Sequence, residues 1–111
     1  MSVALGLFDE RKNESILISY FPVASEAFYM RYWETAVKDM KIRLFKHYSS
    51  FSYNDIDEVL KELDLLELWT KKNLIGKDFN YMFERVMELK VIIPELYNNY
   101  KDKNSYRFFV F

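Results

Sequence analysis

Two apolar runs near the start of the chain, residues 3–8 and 15–21, have the composition of β-strands. The polar residues 9–14 lie between them, and this pattern is typical of a β-hairpin. Pro22 is expected to end the second strand, because proline has no backbone N–H to donate to a sheet. A last apolar run, residues 106–111, is predicted to be a third strand that pairs antiparallel with one strand of the hairpin.

Apolar residues at helical spacing predict a first helix from Ser25 to about Tyr48. Ser25 is a suitable N-cap, since its hydroxyl can accept a free backbone N–H of the first turn. A strand over residues 42–48 is the alternative for the last part of this helix. One face of the helix would be apolar, with Tyr29, Trp33, Ala36, Val37, Met40, Leu44 and Tyr48.

A second helix is predicted over residues 55–72, with Asn54 as its N-cap. Its apolar residues recur every three or four positions, and acidic residues at its start and lysines at its end complement the helix dipole. Asn73 and Gly76 are expected to mark its end.

A third helix is expected to begin at Asp78. Pro94 is expected to break or kink it, because the proline ring clashes with the preceding turn. A short fourth helix through Tyr100 would then begin at Pro94. Residues 101–105 are polar and separate this helix from the last strand.

The order of elements, β-β-α-α-α-β, predicts an α+β fold in a single domain over residues 1–111. A small antiparallel sheet, made of the N-terminal hairpin and the C-terminal strand, would pack on three to four helices. A mostly helical domain with short terminal strands is the alternative. The expected core contains Trp33, Val37, Met40, Leu44, Val59, Leu60, Leu63, Met82, Phe83 and Val86.

Composition narrows the chemistry that the chain can perform. It has 111 residues, 50% of them hydrophobic, with no cysteine and a single histidine, His47. These counts exclude disulfide scaffolds, thiolate nucleophiles and cysteine-ligated zinc. Gly6 and Gly76 stand alone, so the chain has no glycine-rich loop of the kind that holds phosphate. We therefore expect a protein that is not an enzyme and uses no metal or cofactor.

Acidic residues are concentrated in one stretch of the chain. Residues 51–70 carry six acidic residues and one lysine, whereas the whole chain has a net charge of −1. Such a field repels nucleic acid and attracts a basic protein surface. Leu65 and Trp69 lie four residues apart on the second helix and would form an apolar anchor beside the acids, unless both pack inside the fold. The predicted partner-binding residues are Asp55, Glu58, Glu62, Leu65 and Trp69.

The hydropathy of the chain gives an expectation about its location. No segment approaches the roughly 20 apolar residues that span a bilayer. Residues 1–8 are apolar but lack the basic residues that precede the apolar part of a signal peptide. We therefore expect a cytoplasmic protein that contacts neither membrane nor nucleic acid.

In its size, its β-β-α beginning and its acidic helix, the chain is similar to small bacterial immunity proteins, including those of contact-dependent inhibition systems. The resemblance implies a non-enzymatic protein that binds and neutralises a cognate toxin, for example a basic nuclease domain. It assigns no functional residue, since no motif carries it. A phage- or plasmid-type accessory adaptor without catalytic activity is the alternative function.

Overall fold

The computed structural model of this chain describes residues 2–10, 16–100 and 105–111 and contains one antiparallel sheet of four strands. The sheet packs against three helices, so the α+β class predicted from the sequence is confirmed. The predicted hairpin turn from residue 11 onward and the polar residues 101–104 lie outside the described residues.

Three of the four strands are those that the apolar runs predicted. They are β1 (Ser2–Asp9), β2 (Ile16–Ser25) and β4 (Tyr106–Val110). β1 pairs antiparallel with both β2 and β4, which confirms the predicted pairing of the last strand with the hairpin. The fourth strand, β3 (Ser50–Phe51), pairs with the outer side of β4 and completes the order β2-β1-β4-β3.

Pro22 does not end β2, contrary to the prediction. The strand continues to Ser25, and Pro22 lies opposite Ala4 of β1. β2 is an edge strand, where the missing N–H of a proline need not cost a ladder hydrogen bond. The register shifts next to Pro22, so that Val23 is an extra residue in β2 and forms a bulge.

The first helical segment, α1, consists of three consecutive pieces. These are an α-helical turn Glu26–Phe28, a π-helical turn Tyr29–Trp33 and an α-helical part Glu34–Asp39. The hydroxyl of Ser25 accepts the N–H of Phe28, so the predicted N-cap is present.

The prediction placed the end of the first helix about nine residues too late, near Tyr48, whereas α1 ends at Asp39. Lys41 adopts a left-handed conformation with φ of 55°. Its N–H bonds to the carbonyl of Lys38, and the N–H of Ile42 bonds to the carbonyl of Val37. These two bonds form a Schellman motif, which ends a helix. The residues that follow, 42–48, form neither helix nor strand. Because lysine replaces the usual glycine at this position, the sequence carried no signal for the end.

The next two helices are α2 (Ile56–Asn73) and α3 (Gly76–Tyr100). α2 is preceded by a 3₁₀ turn, Tyr53–Asp55, whose N-cap is Ser52 rather than the predicted Asn54. Ser52 and Asp55 form a capping box, in which the side chain of each residue accepts a hydrogen bond from the backbone N–H of the other.

α3 begins at Gly76, two residues before the predicted start at Asp78. It continues through Pro94 as one helix of 25 residues, so the predicted break and the separate fourth helix are wrong. The proline removes one helical hydrogen bond. Ile93 before it and Leu96 after it pack against the core, and this packing holds the helix on both sides of the missing bond.

The core lies between the three helices and one face of the sheet. Five predicted core residues are fully buried there: Trp33, Val59, Leu63, Met82 and Val86. Four others are partly buried against the same cluster: Val37, Met40, Leu44 and Leu60. Phe83 is half-buried. Tyr48, placed by the sequence on the apolar face of the first helix, is instead 87% exposed, because the chain has left the helix before that point.

Leu63 lies at the centre of α2 and has no exposed surface. We expect Leu63→Ala to lower the free energy of unfolding by about 2–5 kcal/mol, because it removes buried methyl groups and leaves a cavity. Denaturant unfolding measures this change. Leu65→Ala on the exposed side of α2 is the matched control, and an equal loss in both variants would contradict the assignment of the buried face.

Candidate protein-binding surfaces

The five residues predicted to bind a partner occupy very different environments. Glu58 and Leu65 are exposed on the outer side of α2. Asp55 is half-buried and caps the turn before α2 through the backbone N–H of Ser52. Glu62 and Trp69 are only 6% and 5% exposed. The structure therefore leaves Glu58 and Leu65 exposed and Asp55 half-buried, and it buries the other two.

Glu62 binds a segment of its own chain. The backbone N–H groups of Arg43, Leu44 and Phe45 donate to its carboxylate oxygens at 2.7, 3.1 and 2.8 Å. These three donors are successive residues of the irregular stretch after α1, and they form a concave anion site of the kind known from turns. Glu62 is thus an internal ligand for this stretch, which corrects its predicted role at an exposed surface.

Trp69 is also engaged within the fold. Its indole N–H donates to Oδ2 of Asp39 at the end of α1, at 2.9 Å. The ring belongs to the buried core cluster. The alternative in which Trp69 packs inside the protein is therefore the correct one, and the apolar anchor beside the acids is reduced to Leu65 and the neighbouring exposed Leu68.

Cations from elsewhere in the fold neutralise much of the acidic stretch. Glu58 is paired with Arg43, and Asp64 lies 2.6 Å from Nζ of Lys90 on α3. Glu67 contacts both Lys71 and Lys90, and hydrogen bonds from these two lysines hold the pKa of Glu67 below its ordinary value. Among the described residues, the strong negative field expected from the linear sequence is therefore divided into local ion pairs.

Replacing Glu62 tests whether it holds the irregular stretch in place. In Glu62→Gln one oxygen acceptor becomes an NH₂ donor that faces other N–H donors. We expect the free energy of unfolding to fall by about 2–3 kcal/mol, as for a lost charged hydrogen bond and an unsatisfied buried donor. Denaturant unfolding measures the loss. The control Glu58→Gln removes an exposed ion pair and should cost less than about 1 kcal/mol; a similar cost in both would refute the role of Glu62.

A second candidate surface lies on the face of the sheet opposite the helices. Alternate residues of β4 point in opposite directions: Tyr106, Phe108 and Val110 are buried with the core, whereas Phe109 and Phe111 lie on the other side. We call this second side the aromatic face and define it by Phe8, Tyr20, Phe109 and Phe111. Tyr20 is 51% exposed and Phe111 is 42% exposed.

The rings of the aromatic face contact one another edge to face. Phe8 lies 5.3 Å from Phe109 and 5.7 Å from Phe111, and Tyr20 lies 6.3 Å from Phe111, measured between ring centroids. Each arrangement is of the kind that aromatic quadrupoles favour. The rings are therefore ordered by mutual contact before any partner arrives.

Gly6 makes this arrangement of rings possible. A Cβ at Gly6 would lie 2.7 Å from a ring carbon of Phe111 and 2.7 Å from one of Phe8, and 3.2 Å from a methyl carbon of Leu17. Contacts of 2.7 Å are closer than carbon atoms approach without one of them moving. Gly6 thus allows the two phenylalanine rings to lie over the backbone of β1.

A small cleft between the start of α2 and the last turns of α3 is the main alternative to a protein-binding surface. It has a volume of about 190 Å³, and Tyr53, Asn54, Asp57, Tyr97 and Asn98 are among the residues that line it. The buried hydroxyl of Tyr53 has no hydrogen-bond partner among the described residues. Burial, with a smaller contribution from neighbouring tyrosines, raises the pKa of Tyr53 to about 12. This phenol therefore stays protonated at neutral pH.

Removing the unpaired hydroxyl should not weaken the fold. We expect Tyr53→Phe to be neutral or to stabilise the protein by up to about 1 kcal/mol, because a buried polar group without a partner is costly. The gain should increase above pH 10. Between the ordinary pKa of 10.0 and the folded pKa of about 12, Tyr53 of the wild-type protein is ionised in the unfolded chain but protonated in the folded one. This difference lowers the free energy of unfolding of the wild type as the pH rises, and Tyr53→Phe does not have it.

Tyr29→Phe is the matched control for this substitution. The hydroxyl of Tyr29 accepts the backbone N–H of His47 at 2.8 Å, so its removal should destabilise the protein by about 1–2 kcal/mol. Thermal unfolding of both variants at neutral and alkaline pH measures the difference. A loss in Tyr53→Phe as large as in Tyr29→Phe would show that the hydroxyl of Tyr53 has a partner.

Metal binding and membrane crossing are two further possibilities for a chain of this composition. No group of three or more histidine, cysteine or acidic side chains in the described ranges is arranged to hold a metal ion. None of the described helices combines the length and the apolar character that crossing a membrane requires.

Comparison with known proteins gives no match of any kind: no family model, no curated protein and no solved structure is similar to this chain. The function must therefore be argued from its own surfaces.

Proposed function

We propose that this chain is a non-enzymatic inhibitor of the immunity-protein type, which acts in the cytoplasm by binding and neutralising a cognate protein toxin. The observation that carries the proposal is the aromatic face. In an antiparallel sheet with one covered side, the uncovered side is normally polar. Here four aromatic rings occupy it, and exposed apolar patches of this kind mark interaction surfaces.

The chemistry of the aromatic face suits tight binding of a protein. Tyrosine and phenylalanine supply large contact area with few rotatable bonds, so little side-chain entropy is lost on binding. The mutual ring contacts order these side chains in advance, which further lowers the cost of association. Tight binding through such rigid anchors is what a stoichiometric inhibitor needs.

The charge at this surface favours a protein over nucleic acid. Arg107 lies on the same side of β4 as Phe109, and its Nε donates to the hydroxyl of Ser50 at 3.0 Å. In the described part of this face Arg107 is thus a cation that already has a partner, whereas binding of a phosphate backbone depends on several lysines and arginines. Asp57, an exposed acid of α2, would act on a basic toxin mainly by speeding its approach.

The experiment uses the protein encoded next to this chain in its genome, since an immunity gene follows its toxin gene. We expect that protein to stop growth when expressed alone and this chain to restore growth when expressed with it. Absence of toxicity, or absence of rescue, would contradict the proposed function.

Binding of the purified pair then locates the surface. The double variant Tyr20→Ala with Phe111→Ala should weaken binding by about 30-fold or more, as expected for central aromatic anchors. The matched control is Glu58→Gln with Leu65→Ala, which changes the two exposed members of the surface predicted from the sequence. If rescue and binding survive Tyr20→Ala with Phe111→Ala but fail in Glu58→Gln with Leu65→Ala, the toxin binds α2 and the aromatic face is not the binding surface.

A further inference from the structure

We propose that the outer edge of β2 pairs antiparallel with β2 of a second copy of this chain, so that two four-stranded sheets join into one of eight strands. This inference does not depend on the proposed function. It rests on the position of β2 in the sheet, on its composition and on the helix that lies beneath it.

β2 is the long uncovered edge of the described sheet. It pairs with β1 on one side, and the sheet order places no described strand on its other side. The opposite edge is formed by β3, which has only two residues. Ile16, Leu17 and Ile18 of β2 are all exposed. An edge strand of this length with apolar exposed residues is a template for pairing with another chain.

One protection that natural proteins give to such edges, a charged side chain, is absent from β2, although the strand contains Pro22 and two bulges. Lysine and other charged residues usually block an exposed edge. The ten residues of β2 include no acidic or basic side chain, although 30% of the whole chain is charged. The part before Pro22 consists of β-branched, aromatic and other apolar residues with one serine, which are favourable for strand pairing.

The absence of charge points to a second copy of the same strand as the occupant. In a twofold antiparallel pair, the residues next to the axis lie opposite their own copies, so a charge there meets its like and destabilises the pair. An uncharged strand avoids this repulsion entirely. A partner strand of different sequence would instead profit from complementary charges, which β2 does not offer.

Two features of β2 favour a closed pair over an open-ended stack. Ile18 is an extra residue between the pairs Phe8–Leu17 and Leu7–Ser19, and this bulge increases the local twist of the strand. Pro22 has no N–H and ends the segment that can donate to a neighbour. Once two β2 edges are paired, each sheet has only the short β3 edge left, so the twofold assembly is complete.

A strand pair alone buries less than the roughly 800 Å² per partner of a typical stable interface, so additional surface is needed. α3 lies next to β2: the N–H of Ser25 donates to the hydroxyl of Tyr81, and the guanidinium of Arg85 lies 5.9 Å from the ring of Phe21. A twofold axis perpendicular to the joined sheet places both α3 helices on the same side. Ile92 lies seven residues after Arg85 and hence on the same side of α3, and its half-buried apolar side chain supplies further contact area.

The test measures the mass of the wild-type protein in solution by sedimentation over a range of concentrations. We expect a reversible change from 13.5 kDa to twice that value. Ile18→Lys should raise the dissociation constant of the dimer by roughly 100-fold, because it places two like charges at the paired edge. Ile75→Lys is the matched control, since Ile75 is 89% exposed in the connection between α2 and α3 and is not part of β2; its dimer should be unchanged.

Hydrogen exchange of wild-type β2 amides keeps the proposal testable if Ile18→Lys does not fold. Amides of residues 16–21 should be more protected at high protein concentration than on dilution, whereas those of α2 should not change. A wild-type protein that is monomeric up to about 1 mM, near the limit of weak association, would overturn the proposal. A dimer that Ile18→Lys leaves intact, or β2 amides whose protection is independent of concentration, would also overturn it.

Discussion

The constraint that organises the chain between α1 and β3 is the binding of backbone N–H groups by the carboxylate of Glu62. This carboxylate accepts three backbone N–H groups from Arg43, Leu44 and Phe45, a stretch with no helical or strand partner of its own. Buried N–H groups without acceptors are costly, so a stretch of this kind can enter the interior only if something binds it. With Glu62 in place, Phe45 reaches the core and the chain continues toward the sheet.

The connector between this stretch and β3 is held by backbone hydrogen bonds to β4. The N–H of Tyr48 donates to the carbonyl of Val110 at 2.7 Å, and the carbonyl of Ser49 accepts the N–H of Val110 at 2.9 Å. These bonds bring the connector alongside β4 and lead into β3. Tyr48 takes a left-handed conformation with φ of 69° at this point. Thus the stretch that Glu62 binds leads through this connector into the strand that completes the sheet.

The two faces of the sheet have opposite physical roles. Alternation along β4 sends Phe108 into the core, where it stacks on Phe51, and sends Phe109 to the uncovered side. Polar residues on that side would have made the sheet an ordinary solvated surface. The aromatic rings there gain only partial burial from each other, so they retain apolar area that a partner can cover. The proposed inhibitor function uses the uncovered face of this sheet and the proposed pairing uses the backbone edge of β2, and Tyr20 belongs to both.

The sequence by itself determined the elements that depend on local pattern: the strand runs around Leu5, Tyr20 and Phe108, the apolar stripes of α2 and α3, and hence the α+β class. It did not determine where α1 ends, because the Schellman motif uses Lys41, a residue without the usual glycine signal. It also misassigned Glu62 and Trp69, since helical spacing shows which residues share a face but not what covers that face.

Only the tertiary structure decided these points, because the partners that bury or neutralise a side chain come from distant parts of the chain. Asp39 binds the indole of Trp69, and Lys90 on α3 pairs with the acids of α2. The same holds for the aromatic face, which exists only when β1, β2 and β4 lie side by side. The spacing of apolar residues follows from the geometry of a single helix or strand. The exposure of a side chain and the net charge around it follow from the packing of several elements.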